Sequence, residues 1–338
     1  MAQKSTERPV TPVNTQPLDD AGGPTAGELG EHAVIEAIVA AAPSSSNGDD
    51  AAVLTHAAPN SQVVATTDML VEGRHFRRDW STPEEVGKKA IVQNFADIEA
   101  MGARAVAALL AVSVPAETPV SFFERLAAGI ESRVAEYSAE LVGGDVVSGD
   151  QLVISVTAIG SLGGNLPSLR LDRARVGQRV VAHGKIGWSA AGMALLERFG
   201  RENVPEDLTE VVAAHCAPYL TPGRGVVARA TGATSMTDSS DGLVVDLTTI
   251  AARSGVSVDL FAEAIAPGPE LVRAGEVLGV DPWQWVLTGG EDHTLVATTA
   301  NDVPSGFREI GRVGKQSGDP AVTVDGAAPH YHGGWVSF

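Results

Sequence analysis

The chain has 338 residues, 44% hydrophobic and 20% charged, which is enough for two packed cores. Acidic residues outnumber basic ones 42 to 24, giving a net charge of −18 that argues against nucleic acid or an anionic membrane as partner. The single cysteine, Cys216, excludes a disulfide framework and any multi-cysteine metal site, and reads as a packed thiol. No run of eighteen apolar residues occurs, so no membrane span is expected.

Residues 1–27 are rich in Pro, Thr, Gly and Gln without an apolar core, and read as a disordered tail rather than a secretory signal. The protein is therefore expected in the cytoplasm. Order is expected from Glu28, where HAVIEAIVAAA has helical periodicity. AAVLTH and QVVATTDML read as strands, as do AVAALLAVSVP and QLVISVTAIGSL. Helices are predicted at 83–101 and 120–141, the second from Phe122, Leu126, Ile130, Val134, Tyr137 and Leu141. The Gly-, Pro- and Arg-rich stretch 163–177 reads as a boundary. It divides an N-terminal domain, 28–162, from a C-terminal domain, 163–338. In the second half QRVVAHG, the segment into MTDSSDG, HTLVATT and REIGRV read as strands, with helices opening near Gly187 and through LVVDLTTIAARSG. The fold class expected is α+β in two α/β domains.

No phosphate-binding G-x-x-x-x-G-K-[ST] loop occurs. Gly223-Arg224-Gly225-Val226-Val227-Ala228 fits a loose dinucleotide pattern, but it follows Pro222 rather than a strand and carries little weight. More prominent are aspartates at the ends of apolar segments: Asp49-Asp50, Asp68, Asp97, Asp145, and Asp238 with Asp241. Aspartate is the short, hard-oxygen ligand that Mg²⁺ prefers, and Mg²⁺ is usually held by a few carboxylates plus substrate phosphates. Each site also has a plainer reading. NGDD is a turn or cap; GGD is a turn between a helix and a strand. SSDG caps the helix at Leu243, and Asp97 lies on a solvated helix face. Thr66 and Thr67 offer further oxygens or are ordinary strand residues. LTGGEDHTL, with Glu291 and Asp292, reads from composition as a hairpin turn.

As an ordered set, GDDAAVL (48–54), TTDMLVEGRHF (66–76), NFADIEAMGA, LVGGDVVSG (141–149), TDSSDGL (237–243) and LTGGEDHTL (287–295) resemble the thiamine-monophosphate kinases. Their superfamily also holds aminoimidazole ribonucleotide synthetase, selenophosphate synthetase and a hydrogenase-maturation protein. The resemblance implies an N-terminal domain that dimerises through its sheet, a C-terminal domain beside it, and ATP-dependent phosphorylation of thiamine monophosphate to thiamine diphosphate. It implies that Asp49, Thr66, Thr67, Asp68, Asp97, Asp145, Asp238 and Asp241 bind several Mg²⁺ ions. Gly144, Asp145 and Ser240 match ATP contacts, as does Arg170, with Arg173 the alternative in a register that departs from the family pattern. His75, Glu291 and Trp335 match substrate contacts. An indole suits a cationic heteroaromatic ring; the plainer reading of Trp335 is an anchor for the C-terminal tail. No residue is implied as a general base. Two other readings stay open: a relative of aminoimidazole ribonucleotide synthetase that releases ADP and phosphate, and a non-catalytic divalent-ion binder. Against the binder, no D-x-D-x-D-G calcium loop is present.

Overall fold

The computed structural model describes residues 52–55, 60–115, 118–316 and 321–334. The tail, the expected helix at HAVIEAIVAAA, Asp49 and Trp335 lie outside these residues. The first sheet has five strands in the order β1-β2-β5-β3-β4. They are β1 (Ala52–Thr55), β2 (Ser61–Val71), β3 (Arg104–Val114), β4 (Glu140–Ser148) and β5 (Val153–Gly163). Helices α1 (Pro83–Ala100) and α2 (Val120–Glu136) cover one face.

Alternation sets that face. In β5, Ile154, Val156, Ala158 and Leu162 are buried, whereas the intervening residues are half-exposed. The opposite face is open: Met69 is 55% and Leu109 37% exposed. The helix predicted at 120–141 stops at Glu136, because the chain turns at Ser138 in the left-handed region (φ 52°) and re-enters the sheet as β4. LVGGDVVS is therefore a parallel edge strand on β3, not a turn.

The second sheet has six strands in the order β11-β8-β10-β6-β9-β7. They are β6 (Arg179–His183), β7 (Ala233–Ser239), β8 (Val256–Leu260), β9 (Thr294–Thr299), β10 (Arg308–Lys315) and β11 (Val322–Val324). Helices α3 (Trp188–Phe199), α4 (Thr209–Cys216), α5 (Arg224–Ala230) and α6 (Leu243–Ser254) belong to this half. So do α7 (Ala262–Ile265), α8 (Pro269–Leu278) and α9 (Pro282–Thr288). Cys216 is buried, as expected.

Helix α1 joins the halves. Thr82 caps it with Glu85 in a reciprocal capping box, and Pro83 occupies the first turn. Val86, Ile91, Phe95 and Ile98 pack into the first core. Val92, Ala96 and Ala100, on another side, pack with Val181, Met236, Leu295 and Ala297 of the second sheet. Burying each larger aliphatic side chain contributes about 1.5–3 kcal/mol, and the alanines let the helix sit close to the sheet. Farther along, Arg229 of α5 donates to the carbonyls of Pro167, Gly163 and Leu166, fixing the connecting stretch.

Candidate active site

Strand β2 and helix α1 build the first part of the site. Thr66 and Asp68 share the covered face of the sheet. Thr66 Oγ1 donates to Asp97 Oδ2 at 2.7 Å, across the β2–α1 interface. The Asp68 N–H donates to Asn94 Oδ1 at 3.0 Å, while Asn94 Nδ2 donates to the Ala90 carbonyl at 2.9 Å. Asp97 is thus half-buried beneath the sheet, not on a solvated face. Thr67 points the other way: its hydroxyl donates to the Val156 carbonyl at 3.1 Å and lies 3.0 Å from Thr157 Oγ1. Any oxygen it offers beside Asp68 comes from its backbone.

Asp145 stands apart. It pairs with Ala111, which pairs with Ser155, which pairs with Met69. It therefore lies on the open face, about 14 Å from β2 at three strand spacings, and is not brought to Asp68 or Asp97. Gly144 has a packing reason to be glycine, since a Cβ there would overlap the Leu110 carbonyl of β3. The GRGVVA pattern opens α5 without a preceding strand, and the carboxylate of Glu99 already takes the Gly223 and Gly225 N–H groups, at 2.6 and 2.5 Å.

The second part lies where β7 runs into α6. Asp238, 3% exposed, places Oδ2 2.9 Å from His293 Nδ1. The N-cap of α6 is Gly242, which has no side chain to cap it. Asp246, in the first turn, reaches back to it: its Oδ2 accepts from the Gly242 N–H and the Ser239 hydroxyl, both at 3.0 Å. Burial pushes the Asp246 carboxyl well above its usual range, and the nearby Asp241 and Asp238 carboxylates push it further. Three carboxylates thus crowd one loop.

GGEDH is not a hairpin turn; it links α9 to β9. Glu291 and His293 both take left-handed backbone, φ 63° and 52°. Their N–H groups donate to the carbonyls of Ser240 (2.7 Å) and Ser239 (3.0 Å), fastening this loop onto the Asp238–Asp241 loop. Between them, Asp292 turns inward and accepts from the Gly187 and Ser189 N–H groups at the start of α3, at 2.5 and 2.8 Å. Gly334 packs against the backbone of Asp241, where a Cβ would overlap its carbonyl.

Glu291 leads back to the first half. Its Oε1 is 3.1 Å from Lys89 Nζ of α1, and its Oε2 is 3.7 Å from His215 Nδ1. Burial pushes the Glu291 carboxyl up, but the Lys89 ammonium, as charge and hydrogen-bond donor, leads the influences that outweigh it and hold the group below its ordinary value. Burial drives the His215 ring down to about 3, so it is neutral. His75 Nδ1 accepts from the Val71 N–H at 3.0 Å, which places the ring proton on Nε2; burial also lowers this histidine. A cavity of about 360 Å³ opens here, lined by residues that include His75, Phe76, Trp80, Met193, Glu197 and His215. Arg170 and Arg173 flank Asp172, with nitrogens 3.2 and 3.9 Å from its Oδ1.

The residues sequence reasoning missed are Lys89, Asn94, His215, Asp246 and His293. His293 stood in the quoted GGEDH segment and Asp246 in the first turn after SSDG, so adjacency was the available signal. Lys89 and His215 gave none, because a lysine or histidine in a helical pattern reads as solvated.

Among the described residues no group of three or more His, Cys, Asp or Glu is already arranged as a metal shell. The donor chemistry nevertheless fits Mg²⁺: Thr66, Asp68 and Asp97 on one side, and Asp238 and Asp241 on the other, offer hard oxygens in twos and threes. Mg²⁺ typically takes one or two carboxylates and completes its shell with phosphates and water.

Residues 48–162 match the family model described as AIR synthase related protein, N-terminal domain. The chain is 64% identical to a thiamine-monophosphate kinase of Corynebacterium glutamicum over 316 residues, 94% of this chain and 96% of that one. It is 46% identical to the thiamine-monophosphate kinase of Mycobacterium tuberculosis, over 93% of each chain. A solved structure described as AaThiL complexed with AMPPCP and TMP superposes with a TM-score of 0.84 at 32% identity, covering 94% of this chain and 99% of that one. The two-sheet α/β architecture, the ordered motifs and these likenesses agree: the chain is an enzyme of the thiamine-monophosphate kinase family.

Proposed function

We propose that the enzyme transfers the terminal phosphoryl group of ATP directly to the phosphate of thiamine monophosphate, giving thiamine diphosphate and ADP. The observation that carries this reading is the fastening of the Glu291 loop onto the Asp238–Asp241 loop. It joins the Asp238–Asp241 loop to Glu291, whose Oε2 lies 3.7 Å from His215, a residue lining the cavity that also holds His75. The relative solved with AMPPCP and TMP supports the same pairing of ligands.

The acceptor phosphate is largely dianionic at neutral pH, its second pKa being about 6. No general base is needed, and the obstacle is repulsion between two polyanions. Mg²⁺, when bound, neutralises that charge and fixes in-line geometry. Thr66, Asp68, Asp97, Asp238 and Asp241 are the described residues that would hold it, with Asp49 beyond them. Asp145 serves a separate position. Ser240, Gly144, Asp145 and Arg170 take ATP, with Arg173 the alternative to Arg170. His75, neutral, and Glu291, ionised, orient the substrate rather than move protons, and Trp335 packs against its rings.

The open face of the first sheet, with Met69 and Leu109, is the surface through which two copies pair. The reaction belongs to the cytoplasm, where ATP is available, in the making of thiamine diphosphate. The test is ADP formation by the purified chain with ATP and Mg²⁺. ADP that appears only on adding thiamine monophosphate supports the reading; the same ADP without it, or with any phosphate monoester, contradicts it.

A further inference from the structure

Lys89 is 1% exposed, which is costly for an ammonium group unless it is paired and hydrogen-bonded. Its Nζ donates to the His75 carbonyl at 2.8 Å and lies 3.1 Å from Glu291 Oε1. These two residues come from opposite halves of the chain, and α1 touches both halves. We infer that Lys89 is a positioning residue, which sets the spacing between His75 and Glu291 and so determines how tightly the enzyme takes its thiamine substrate.

Three observations support it. First, His75 is fixed at both ends: Lys89 holds its carbonyl, and the Val71 N–H holds its Nδ1 at 3.0 Å. Turning the ring breaks the Val71 bond, and shifting the backbone that carries it breaks the Lys89 bond. Second, Glu291 sits on left-handed backbone at φ 63°, a conformation that persists only where its surroundings impose it. Lys89 is the cationic contact for its carboxylate, and His215, on the other side, is neutral. Third, a buried ion pair is a poor stabiliser, since apolar residues of similar size often do as well or better. Lys89 is buried on a helix whose other buried residues are mostly apolar, Val86, Ala90 and Val92 among them. Its charge is explained by what it holds.

The inference rests on the kinase reading, and the test separates the two. Lys89→Met, Lys89→Arg and the double variant Lys89→Met with Glu291→Gln are assayed beside the wild-type chain. KM is measured for thiamine monophosphate and for ATP, with thermal unfolding recorded for each. A misplacement of about 1 Å at a binding group costs up to about 100-fold. The expected result is a KM for thiamine monophosphate raised roughly 10- to 100-fold in Lys89→Met. KM for ATP stays within about twofold, and Lys89→Arg recovers part of the loss. The double variant regains thermal stability, because no unpaired buried charge remains, but not substrate affinity. If Lys89→Met does not fold, Lys89→Arg carries the test, with a raised KM for thiamine monophosphate and an unchanged KM for ATP expected. An unchanged KM for thiamine monophosphate overturns the inference, as does a double variant that recovers stability and affinity together. An inactive wild-type chain overturns the kinase reading instead.

Discussion

Glu99, near the C-terminal end of α1, accepts the backbone N–H groups of both Gly223 and Gly225, at 2.6 and 2.5 Å, and so caps the first turn of α5 from another helix. Asp292 does the same for α3, through Gly187 and Ser189. Both carboxyls are buried, and burial pushes each up to about 7 despite these bonds.

A pH dependence follows. The folded chain keeps these two protons up to about pH 7, whereas an unfolded chain releases them near its ordinary carboxylate pKa values. Between those limits the folded state binds more protons, so stability falls as pH rises. Each group contributes on the order of 1–3 kcal/mol to that fall. Glu99→Gln removes the titrating group, at the cost of one of the two N–H bonds. It should lose less stability than the wild type between pH 5 and pH 8, by roughly that amount. Denaturant titrations at the two pH values check this; parallel profiles would show that Glu99 does not titrate there.

Gly144→Ala forces a Cβ onto the Leu110 carbonyl and must push β4 off β3. Overpacking of this kind costs about 1–3 kcal/mol. The variant should unfold at lower temperature, with hydrogen exchange raised along Glu140–Ser148. A variant as stable as the wild type would mean that β4 does not pair in the register seen.

Asp97→Asn keeps the size of the side chain and the bond from Thr66 but removes a charge from the oxygen group at β2. Turnover should fall by at least about 100-fold, since removing a single preorganised electrostatic group costs on that scale. The melting temperature should stay within a few degrees. Thr66→Val should instead raise the Mg²⁺ concentration needed for half-maximal rate. Full activity of Asp97→Asn at saturating Mg²⁺ contradicts the assignment.

Met69 and Leu109 lie on the open face of the first sheet, 55% and 37% exposed. The proposed pairing of two copies would cover this face. The wild-type chain should sediment as a dimer, and Met69→Asp with Leu109→Asp as a monomer. A wild-type monomer at micromolar concentration contradicts pairing through this face.

Most strands were legible because their pattern is local. Ile154, Val156, Ala158 and Leu162 alternate inward, and TLVATT is a continuous buried run. β4 was not legible, because Gly143 and Gly144 signal a turn, whereas Gly144 is glycine for the closeness of β3. The GGEDH segment was misread for a similar reason. Its glycines suggest a hairpin, but the left-handed residues are Glu291 and His293, held by Ser240 and Ser239 some fifty positions earlier. In the site, the aspartates at strand ends stood out as residue types. That Asp145 lies three strands away depends on register, which no local pattern carries. Lys89, Glu99 and His215 are invisible as buried groups, because α1 and α4 look like ordinary surface helices until the second sheet covers α1 and α3 packs on α4.

The most direct test of the central claim is a phosphorus NMR time course of the wild-type chain with ATP, Mg²⁺ and thiamine monophosphate. The account predicts that thiamine diphosphate and ADP grow together while no inorganic phosphate signal appears. ADP accompanied by free phosphate, with no new diphosphate, would contradict it and point instead to the chemistry of the phosphate-releasing relatives.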